Sequence, residues 1–418
     1  MSRITALGHN HMRGRNLAVI LSALKQSTPI SRSGLAKLTG LHKASITSLI
    51  RQLESSGFIR ELEIIPSEAA GRPATGLGIN PNAGTIISVE IGVDYISAIV
   101  TDFTAEILWR HHEKASRPLD QEAILDQSFE IAREAHIAAR QFPGQQFGIA
   151  WGVPGLVNVE TGTLLFAPNL GWADVPFRDL VKEHFDIPAY VDNEAKLAAL
   201  GEATFGTARN FDYVIYVSSG IGIGGGIVID GQVISGTSGF AGEIGHMTVD
   251  PSGPACNCGN QGCWETLASE RALYRRIREA IQQSKPTSLD QGLPRDPNQL
   301  TVPIIVEAAR DGDAVALNAL GETGQWLGIG IANLINGFNP HGVVLGGNLS
   351  LAHEYLMPEI ETVVKQRALS RSLEKCDIVI GEYGADASLI GGVAAVYRAT
   401  LSQILNWTSI EAREFQPA

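Results

Sequence analysis

Three of the four cysteines in this 418-residue chain lie within eight positions, and a histidine precedes them on the same short segment. They are Cys256, Cys258 and Cys263, and His246 lies ten residues before the first of them. Three thiolates and one imidazole form the closed tetrahedral ligand set that Zn²⁺ favours. The pattern therefore predicts a structural zinc site, because four protein ligands leave no coordination position open.

Two other interpretations of these cysteines stay open: a disulfide between Cys256 and Cys263, or core thiols that share no partner. The N-terminus has no apolar segment followed by small residues, so no signal peptide is expected. The longest apolar stretches are interrupted by polar residues and glycines, which argues against a membrane span. These features favour a reduced, cytoplasmic setting and disfavour the disulfide. Cys376 stands alone and is expected to be a small core residue.

The charges are divided unequally along the chain. Residues 1–60 contain nine Lys and Arg side chains and one acidic side chain, Glu54, which gives this segment a charge of +8. The whole chain carries −12, so the remaining residues carry −20. A small basic module is therefore joined to a large acidic body, and a protein that coats nucleic acid along its whole surface is excluded.

The basic segment has the helical periodicity of a helix–turn–helix. Apolar residues repeat at i, i+3, i+4 and i+7 from Leu17 to Leu24 and again from Ile46 to Leu53. Ser31 is expected to cap a short second helix, and Gly57 to end a third helix over about residues 42–56. The face opposite the apolar one carries small, hydroxylated and basic side chains, which suit a DNA major groove. The predicted DNA contacts are Lys43, Ala44, Thr47, Ser48 and Arg51.

A two-stranded wing is expected after this third helix. Apolar residues alternate with polar ones after Gly57, residues 66–73 are rich in turn formers, and a second short run ends at Ile79. Arg72 is predicted at the wing tip or in the following linker, where it would reach into a minor groove. A three-helix bundle that binds protein is the alternative. The charge, the helices and the wing together favour a winged helix–turn–helix DNA-binding domain over residues 1–80.

The acidic body has the pattern of an α/β protein. Beyond residue 84, strand-like segments alternate with helical ones, which predicts a layered architecture. Glycine-marked turns follow strand-like segments at Glu90–Asp94 and at Gly220–Gly226. Such turns let the backbone approach a phosphate or a sugar closely, and they are equally typical of ordinary hairpins.

The chain resembles the ROK family over nearly its whole length. The resemblance is carried by Glu243–His246 with Cys256–Glu265, and by Gly152–Gly155, Ala167–Trp172 and Asp192–Glu202. The basic head resembles the repressor branch of this family, which also contains sugar kinases. The resemblance implies a two-lobed, actin-like fold of the ribonuclease-H-like kind, with sugar bound between the lobes. It places the first lobe at 81–191 plus about 385–418, and the second at 192–384 with a zinc-binding loop at 246–265.

The same resemblance implies which residues bind the sugar or sugar derivative. They are Asn193, Glu194, Glu243, His246 and Glu265, with Asn169 and Gly155 at the margin. Carboxylates and an amide suit sugar hydroxyl groups, and a metal-bound His246 would hold its ring in one orientation. No obvious cluster of Lys and Arg marks a sugar-phosphate pocket, which favours a neutral sugar.

Three departures from the kinase pattern of this family argue against phosphoryl transfer. Glu194 stands where the kinases have a catalytic Asp, and its carboxylate extends one methylene further. In the first phosphate turn, Val93 and Asp94 replace a Gly and a Thr, and Asp94 would repel phosphate. In the second turn, Ile221 replaces a Thr. We therefore predict no catalytic residue, and a transcriptional repressor of carbohydrate metabolism that binds operator DNA.

Alternative functions stay open at this point. The chain is a sugar kinase or a bifunctional kinase–regulator if the altered turns still hold ATP, and a partner protein replaces the sugar if the cleft binds none. Operators with two half-sites predict a homodimer or a higher homo-oligomer. No membrane partner is expected.

Overall fold

The computed structural model of the chain describes residues 16–17, 19–21, 23–25, 27–65, 74–117, 120–290 and 300–414. In these ranges a small N-terminal head precedes two α/β lobes. No helix among them is long and apolar enough to cross a membrane.

The head is a helix–turn–helix with a two-stranded wing. Its helices are α1 (residues 16–17, 19–21 and 23–25), α2 (Arg32–Thr39) and α3 (Lys43–Ser55), and its antiparallel strands are β1 (Ile59–Ile65) and β2 (Ala74–Ile79). Ser31 caps α2, because its Oγ accepts a 3.0 Å hydrogen bond from Gly34 N. The apolar positions from Leu17 to Leu24 and from Ile46 to Leu53 are buried, which confirms the predicted periodicity. Arg72 lies outside the described residues, so its place in the wing stays a prediction.

The first lobe is built on a five-stranded sheet in the order β10-β6-β3-β4-β5. Its strands are β3 (Gly84–Ile91), β4 (Tyr95–Asp102), β5 (Ile107–Lys114), β6 (Gln145–Val153) and β10 (Ala189–Asn193). The helices α4 (Gln121–Ala139) and α5 (Phe177–His184) pack against strands of this sheet. A separate three-stranded sheet consists of β7 (Leu156–Asn158), β8 (Thr163–Ala167) and β9 (Trp172–Val175), and it has no counterpart in the sequence-based expectations.

The second lobe is built on a five-stranded sheet in the order β13-β12-β11-β14-β15. Its strands are β11 (Tyr213–Ser219), β12 (Ile223–Ile229), β13 (Gln232–Val233), β14 (Gly342–Gly346) and β15 (Asp377–Ile380). The remaining helices are α6 (Glu194–Thr204), α7 (Trp264–Ala268), α8 (Glu270–Gln282), α9 (Val302–Arg310), α10 (Ala314–Phe338), α11 (His353–Arg367), α12 (Ser370–Leu373) and α13 (Ala387–Glu414).

The two large sheets share one topology. In each, the first three strands form an antiparallel meander, and the next two strands run parallel to the first. The two glycine-marked turns occupy equivalent places, because each joins the first strand of its sheet to the second. This doubled arrangement of strands and helices confirms the predicted α/β, two-lobed actin-like architecture.

Two helices, α6 and α13, separate the two sheets. α6 packs on β11 and β12, and the approach is so close that a methyl group on Gly226 would lie 2.3 Å from Ala199 Cβ. α13 packs on β3 and β6 of the first lobe. The two helices meet at Gly391, where a methyl group would lie 1.8 Å from Leu197 O. Glycine therefore permits the tight contact through which the two lobes join.

Candidate functional site

The four residues of the Cys/His segment converge on one point. His246 ends a short 3₁₀ turn, Ile244–His246, and the ligand atoms of His246, Cys256, Cys258 and Cys263 all lie within 4.8 Å of one another. Cys256 Sγ is 3.7 Å from His246 Nδ1, and Cys258 Sγ is 3.7 Å from Cys263 Sγ. Two ligands of a tetrahedral zinc ion stand about 3.5–3.8 Å apart, given bonds of about 2.0–2.3 Å. The donor set and its spacing fit Zn²⁺.

The loop that carries these residues is shaped by glycine and by backbone hydrogen bonds. Gly259 and Gly262 have φ values of 92° and 66°, and a methyl group on Gly262 would lie 1.5 Å from Asp250 O. Cys256 N donates to Asn260 O at 2.8 Å, which closes the tip of the loop. All four cysteines, each within the described ranges, are free thiols, so the disulfide interpretation is not realised here. Burial raises the pKa of the Cys256 and Cys263 thiols, and a bound cation would oppose that shift.

Glu265 connects the Cys/His group to the interlobe cleft. It lies in the first turn of α7, and its Oε1 accepts a 2.9 Å hydrogen bond from Cys256 Sγ and lies 3.6 Å from His246 Nδ1. Its other carboxyl oxygen faces the second glycine turn, since a methyl group on Gly222 would lie 2.7 Å from Glu265 Oε2. Glu265 is therefore fixed by the metal-ligand residues on one side and borders the cleft on the other.

Asn193 and Glu194 stand at the start of α6, at the carboxyl end of β10. Asn193 is the N-cap of α6, because its Oδ1 accepts from Ala195 N at 2.9 Å and Lys196 N at 3.1 Å. Its Nδ2 donates to Gly155 O at 3.0 Å and to Glu194 Oε2 at 2.8 Å. Both donors and both acceptor positions of the Asn193 side-chain amide are therefore in use. In this arrangement Asn193 orients Glu194 and links it to Gly155.

Three carboxyl groups from different elements interact at this end of the cleft. Burial, with the nearby charges of Glu90 and Glu243, raises the pKa of Glu194 to about 8. Burial also raises the pKa of Glu90 to about 7, although Tyr95 donates a 2.7 Å hydrogen bond to its Oε1. Burial raises the pKa of Glu243 as well. These shifts favour the neutral form of Glu194 at neutral pH, and a neutral carboxyl group can donate as well as accept a hydrogen bond.

Asn169 lies where the two lobes meet. Its Oδ1 accepts a 3.0 Å hydrogen bond from Arg271 Nη1 of α8 and a 3.3 Å bond from Asn257 Nδ2 of the Cys/His loop. The structure therefore brings Asn169 beside Glu265 and the loop, and it places Gly155 beside Asn193. The predicted sugar-binding residues therefore form two groups, one in which Asn193 bonds Gly155 and Glu194, with Glu243 nearby, and one in which His246, Glu265 and Asn169 lie close together.

Side chains that sequence reasoning did not single out lie at both glycine turns. A methyl group on Gly92 would lie 2.2 Å from the Tyr95 ring, so this ring covers the first turn. At the second turn, a methyl group on Gly220 would lie 3.7 Å from Glu270 Oε1, and Glu270 N donates to Gly220 O at 2.9 Å. Burial and the charge of Asp94 raise the pKa of Glu270. An aromatic ring and acidic groups thus face the two turns.

Other residues of the cleft also escaped the sequence patterns. Lys196 is buried and its Nζ donates to Gly239 O, which ties α6 to the segment before the Cys/His loop. Arg271 and Asn257 reach Asn169 from the second lobe. These contacts join residues about 40 to 100 positions apart in the chain, and single-sequence periodicity carries no signal for them.

The predicted DNA-binding side chains share the outer face of α3. Lys43, Ala44, Ser48 and Arg51 are exposed, and Thr47 is half-buried, with its Oγ1 donating to Lys43 O at 2.9 Å. A groove next to this face is lined by α2 and the residues that lead into α3, including Ser33, Lys37 and His42. The opposite face of α3 is buried in the head.

Comparisons with known proteins match both parts of the chain. The ROK family model matches residues 86–399, and the MarR family model matches residues 15–63. A putative xylose repressor from Caldicellulosiruptor sp. (strain Rt8B.4) is 38% identical over 389 residues, which cover 93% of this chain and 96% of that protein.

Two solved structures match different shares of this chain. The crystal structure of a ROK family transcriptional regulator, a homologue of the E. coli MLC protein, has a TM-score of 0.78 and 30% identity, and covers 96% of this chain and 100% of that one. A ROK family glucokinase from Streptomyces griseus, in complex with glucose and AMPPNP, has a TM-score of 0.68 and 32% identity. It covers 76% of this chain and 100% of its own. The regulator thus matches a larger share of the chain than the kinase does.

Proposed function

The chain belongs to the ROK family, and from that membership we propose that it is a sugar-responsive transcriptional repressor. Its head binds operator DNA, and a sugar in the interlobe cleft changes the operator affinity. One observation carries this proposal: a single chain combines an exposed basic helix in a helix–turn–helix with a cleft of carboxyl and amide groups beside a Cys₃His cluster. A similarity that extends across the head to a putative xylose repressor supports it.

The effector is proposed to be a neutral sugar, and the name of the relative makes xylose the first candidate. Glu194, Glu243 and Glu265 offer carboxyl oxygens to hydroxyl groups, and Asn169 offers an amide. Lys196 and Arg271, the basic residues described at the cleft, are already engaged with Gly239 O and Asn169 Oδ1. A sugar phosphate would therefore have to compete for these cations.

A zinc ion is proposed to hold the loop at 246–265, with His246, Cys256, Cys258 and Cys263 as its ligands. When bound, the ion would fix the loop and neutralise thiolates. The loop carries Glu265 and Asn257, and it therefore positions one carboxylate and one amide at the cleft. His246 then has its ring orientation set through Nδ1.

The proposed DNA contacts are Lys43, Ala44, Thr47, Ser48 and Arg51, with Arg72 of the wing. Two heads in a homodimer would read two half-sites of a symmetric operator. We propose domain limits at 1–80 for the head, 81–191 plus 385–418 for the first lobe and 192–384 for the second, and a reduced, cytoplasmic setting in which the thiols persist.

A sugar kinase is the second candidate, favoured by the similarity to the glucokinase that binds glucose and AMPPNP. Against it stand the Tyr95 ring over the first turn and the Glu270 carboxyl beside the second. The Tyr95 ring disfavours the phosphates of ATP by its volume, and the Glu270 carboxyl group offers them no positive charge.

The proposal is tested with operator DNA obtained by selection from random duplexes. Fluorescence anisotropy then gives the dissociation constant of the full-length protein for that duplex, with and without saturating xylose, and with other pentoses and hexoses. We expect sequence-specific binding that weakens steeply with salt and changes about 5- to 150-fold with the effector. Failure to select any duplex, or no change with any sugar, contradicts the proposal.

A further inference from the structure

The head contacts both lobes of the body. The Phe58 ring of the head lies 5.1 Å from Phe103 and 5.7 Å from Phe147, two buried residues of the first lobe. On another side of the head, Lys25 Nζ of α1 lies 3.1 Å from the centre of the Phe205 ring. Phe205 is the residue that ends α6, the helix packed on the sheet of the second lobe.

These contacts form a closed path of aromatic rings. Phe103 lies 4.9 Å from Tyr397 of α13, and Tyr397 lies 5.5 Å from Phe205, whose ring faces Lys25. The path therefore runs from the head through the first lobe, through both helices between the sheets, and back to the head. Each ring in it is at most 7% exposed, and close-packed buried rings transmit a displacement instead of absorbing it.

The other end of α6 lies in the proposed sugar site. Asn193 caps this helix, Glu194 is its first residue, and Lys196 donates to Gly239 O. Eleven residues separate this end from Phe205, which is about 16 Å of helix. Near Phe205 the helix is anchored again, because the buried Glu202 accepts from Thr207 N and from Tyr383 N, each at 2.9 Å.

We propose that α6 transmits sugar occupancy to the head, and that the contact of Lys25 with the Phe205 ring is the coupling point. This inference rests on the proposed function. A sugar held between the lobes changes how α6 sits relative to the first lobe, on which the head is seated through Phe58. Phe205 then shifts beneath Lys25, and the head reorients. Lys25 and Phe205 are positioning residues, since they lie outside both the proposed sugar site and the proposed DNA-contacting face of α3.

Lys25 lies in a buried setting in which the charges of several segments act on it. A cation over a ring face is attracted by the negative face of the ring, and the attraction strengthens when water is excluded. Burial, and then the charge of Arg209, lower the pKa of Lys25 to about 7, whereas the charges of Asp102 and Glu382 raise it. These charges come from the first lobe, from the segment after α6 and from the segment before α13. The charge of Lys25, and with it the attraction of Lys25 to the Phe205 ring, therefore depends on several segments that meet at this junction.

The test compares full-length wild type with Lys25→Met, Phe205→Leu and the double variant. For each protein, anisotropy gives the operator dissociation constant with and without saturating sugar, and calorimetry gives the sugar dissociation constant without DNA. We expect the ratio of the two operator constants to fall at least threefold in each single variant, with sugar binding to the DNA-free protein retained. The double variant should lose no more than either single one, because both remove the same contact.

Matched control variants distinguish a loss of coupling between sugar and operator from a general loss of packing. Phe185→Leu removes a ring from a residue that is 4% exposed and ends α5, against 3% for Phe205, and Lys365→Met removes an exposed ammonium group. Both controls should keep the wild-type ratio. If Lys25→Met and Phe205→Leu also keep it, the inference is wrong while the proposed function stands. If the wild type itself shows no sugar-dependent change, the proposed function fails instead.

Discussion

Asn257 in the Cys/His loop donates a 3.3 Å hydrogen bond to Asn169 of the first lobe. The same Asn169 oxygen accepts from Arg271, which belongs to the second lobe. The Cys/His loop thus contacts the first lobe, so an ion bound by this loop would also influence how the lobes meet. We therefore expect metal content to affect regulation as well as folding.

The first prediction concerns the metal. Cys258→Ser removes one of four ligands, and we expect the zinc content measured by mass spectrometry to fall from about one ion per chain to a small fraction of that. The melting temperature should fall with it, because metal binding contributes to folding free energy. Cys376→Ser is the control, since Cys376 lies outside the cluster and should leave the zinc content unchanged. A wild-type protein purified without chelators and lacking any bound metal would refute the site.

The second prediction concerns the outer face of α3. Arg51→Ala is expected to weaken operator binding about 5- to 150-fold, as loss of a base or phosphate contact of about 1–3 kcal/mol would do. Lys43→Ala should reduce the slope of log affinity against log salt by about one. Arg371→Ala removes an arginine that is 89% exposed on the second lobe and should change neither quantity. Equal losses in all three variants would indicate nonspecific attraction.

The third prediction concerns sugar recognition. Glu243→Ala removes a partly buried carboxyl group from the cleft, and we expect sugar affinity measured by calorimetry to fall about tenfold or more. Operator binding without sugar should be retained, since Glu243 belongs to the second lobe, at the start of the 3₁₀ turn that carries His246, and not to the head. Glu279→Ala, on the exposed part of α8, serves as the control. Unchanged sugar affinity in Glu243→Ala would remove this residue from the site.

The fourth prediction concerns pH. The pKa of Glu194 is raised from about 4.5 to about 8, so between these values the folded chain retains a proton that the unfolded chain has lost. Stability therefore falls as pH rises through this window, by up to about 1.4 kcal/mol per pH unit from this group. Glu194→Gln removes that contribution, so its stability relative to wild type should be greater at pH 8 than at pH 5.5 in urea unfolding. The exposed Glu361→Gln should show no such trend. A constant difference for Glu194→Gln would mean that Glu194 ionises normally.

The fifth prediction concerns catalysis. A coupled assay of ADP release, run with common pentoses and hexoses, should give turnover far below the value of about 10 per second typical of enzymes. Glu194→Asp introduces the residue type expected of the family kinases, and it should not restore turnover because the Tyr95 ring still covers the first turn and Glu270 still lies at the second. Turnover near typical enzyme values in either protein would favour the kinase.

The sequence supports some of these features and is silent on others for physical reasons. The metal ligands lie within 18 residues and α3 shows a clear 3.6-residue period, so both are visible from local pattern. The N-cap role of Asn193 also has a local signal, an Asn directly before a helical run, which sequence reasoning assigned to sugar binding alone. The Tyr95 ring over Gly92 and the Lys25–Phe205 contact depend on how the chain turns and packs, and neither is encoded in a periodicity. The sheet formed by β7–β9 escaped prediction because its strands have only three to five residues.

The central claim is that a sugar in the metal-held cleft and DNA on the head bind with linked free energies. Calorimetry of xylose, or of the sugar found by screening, against the free protein and against its complex with operator tests this directly. The claim predicts two different sugar dissociation constants, in the same ratio as the operator constants measured with and without sugar. Identical sugar affinities in the free and the operator-bound protein would contradict it.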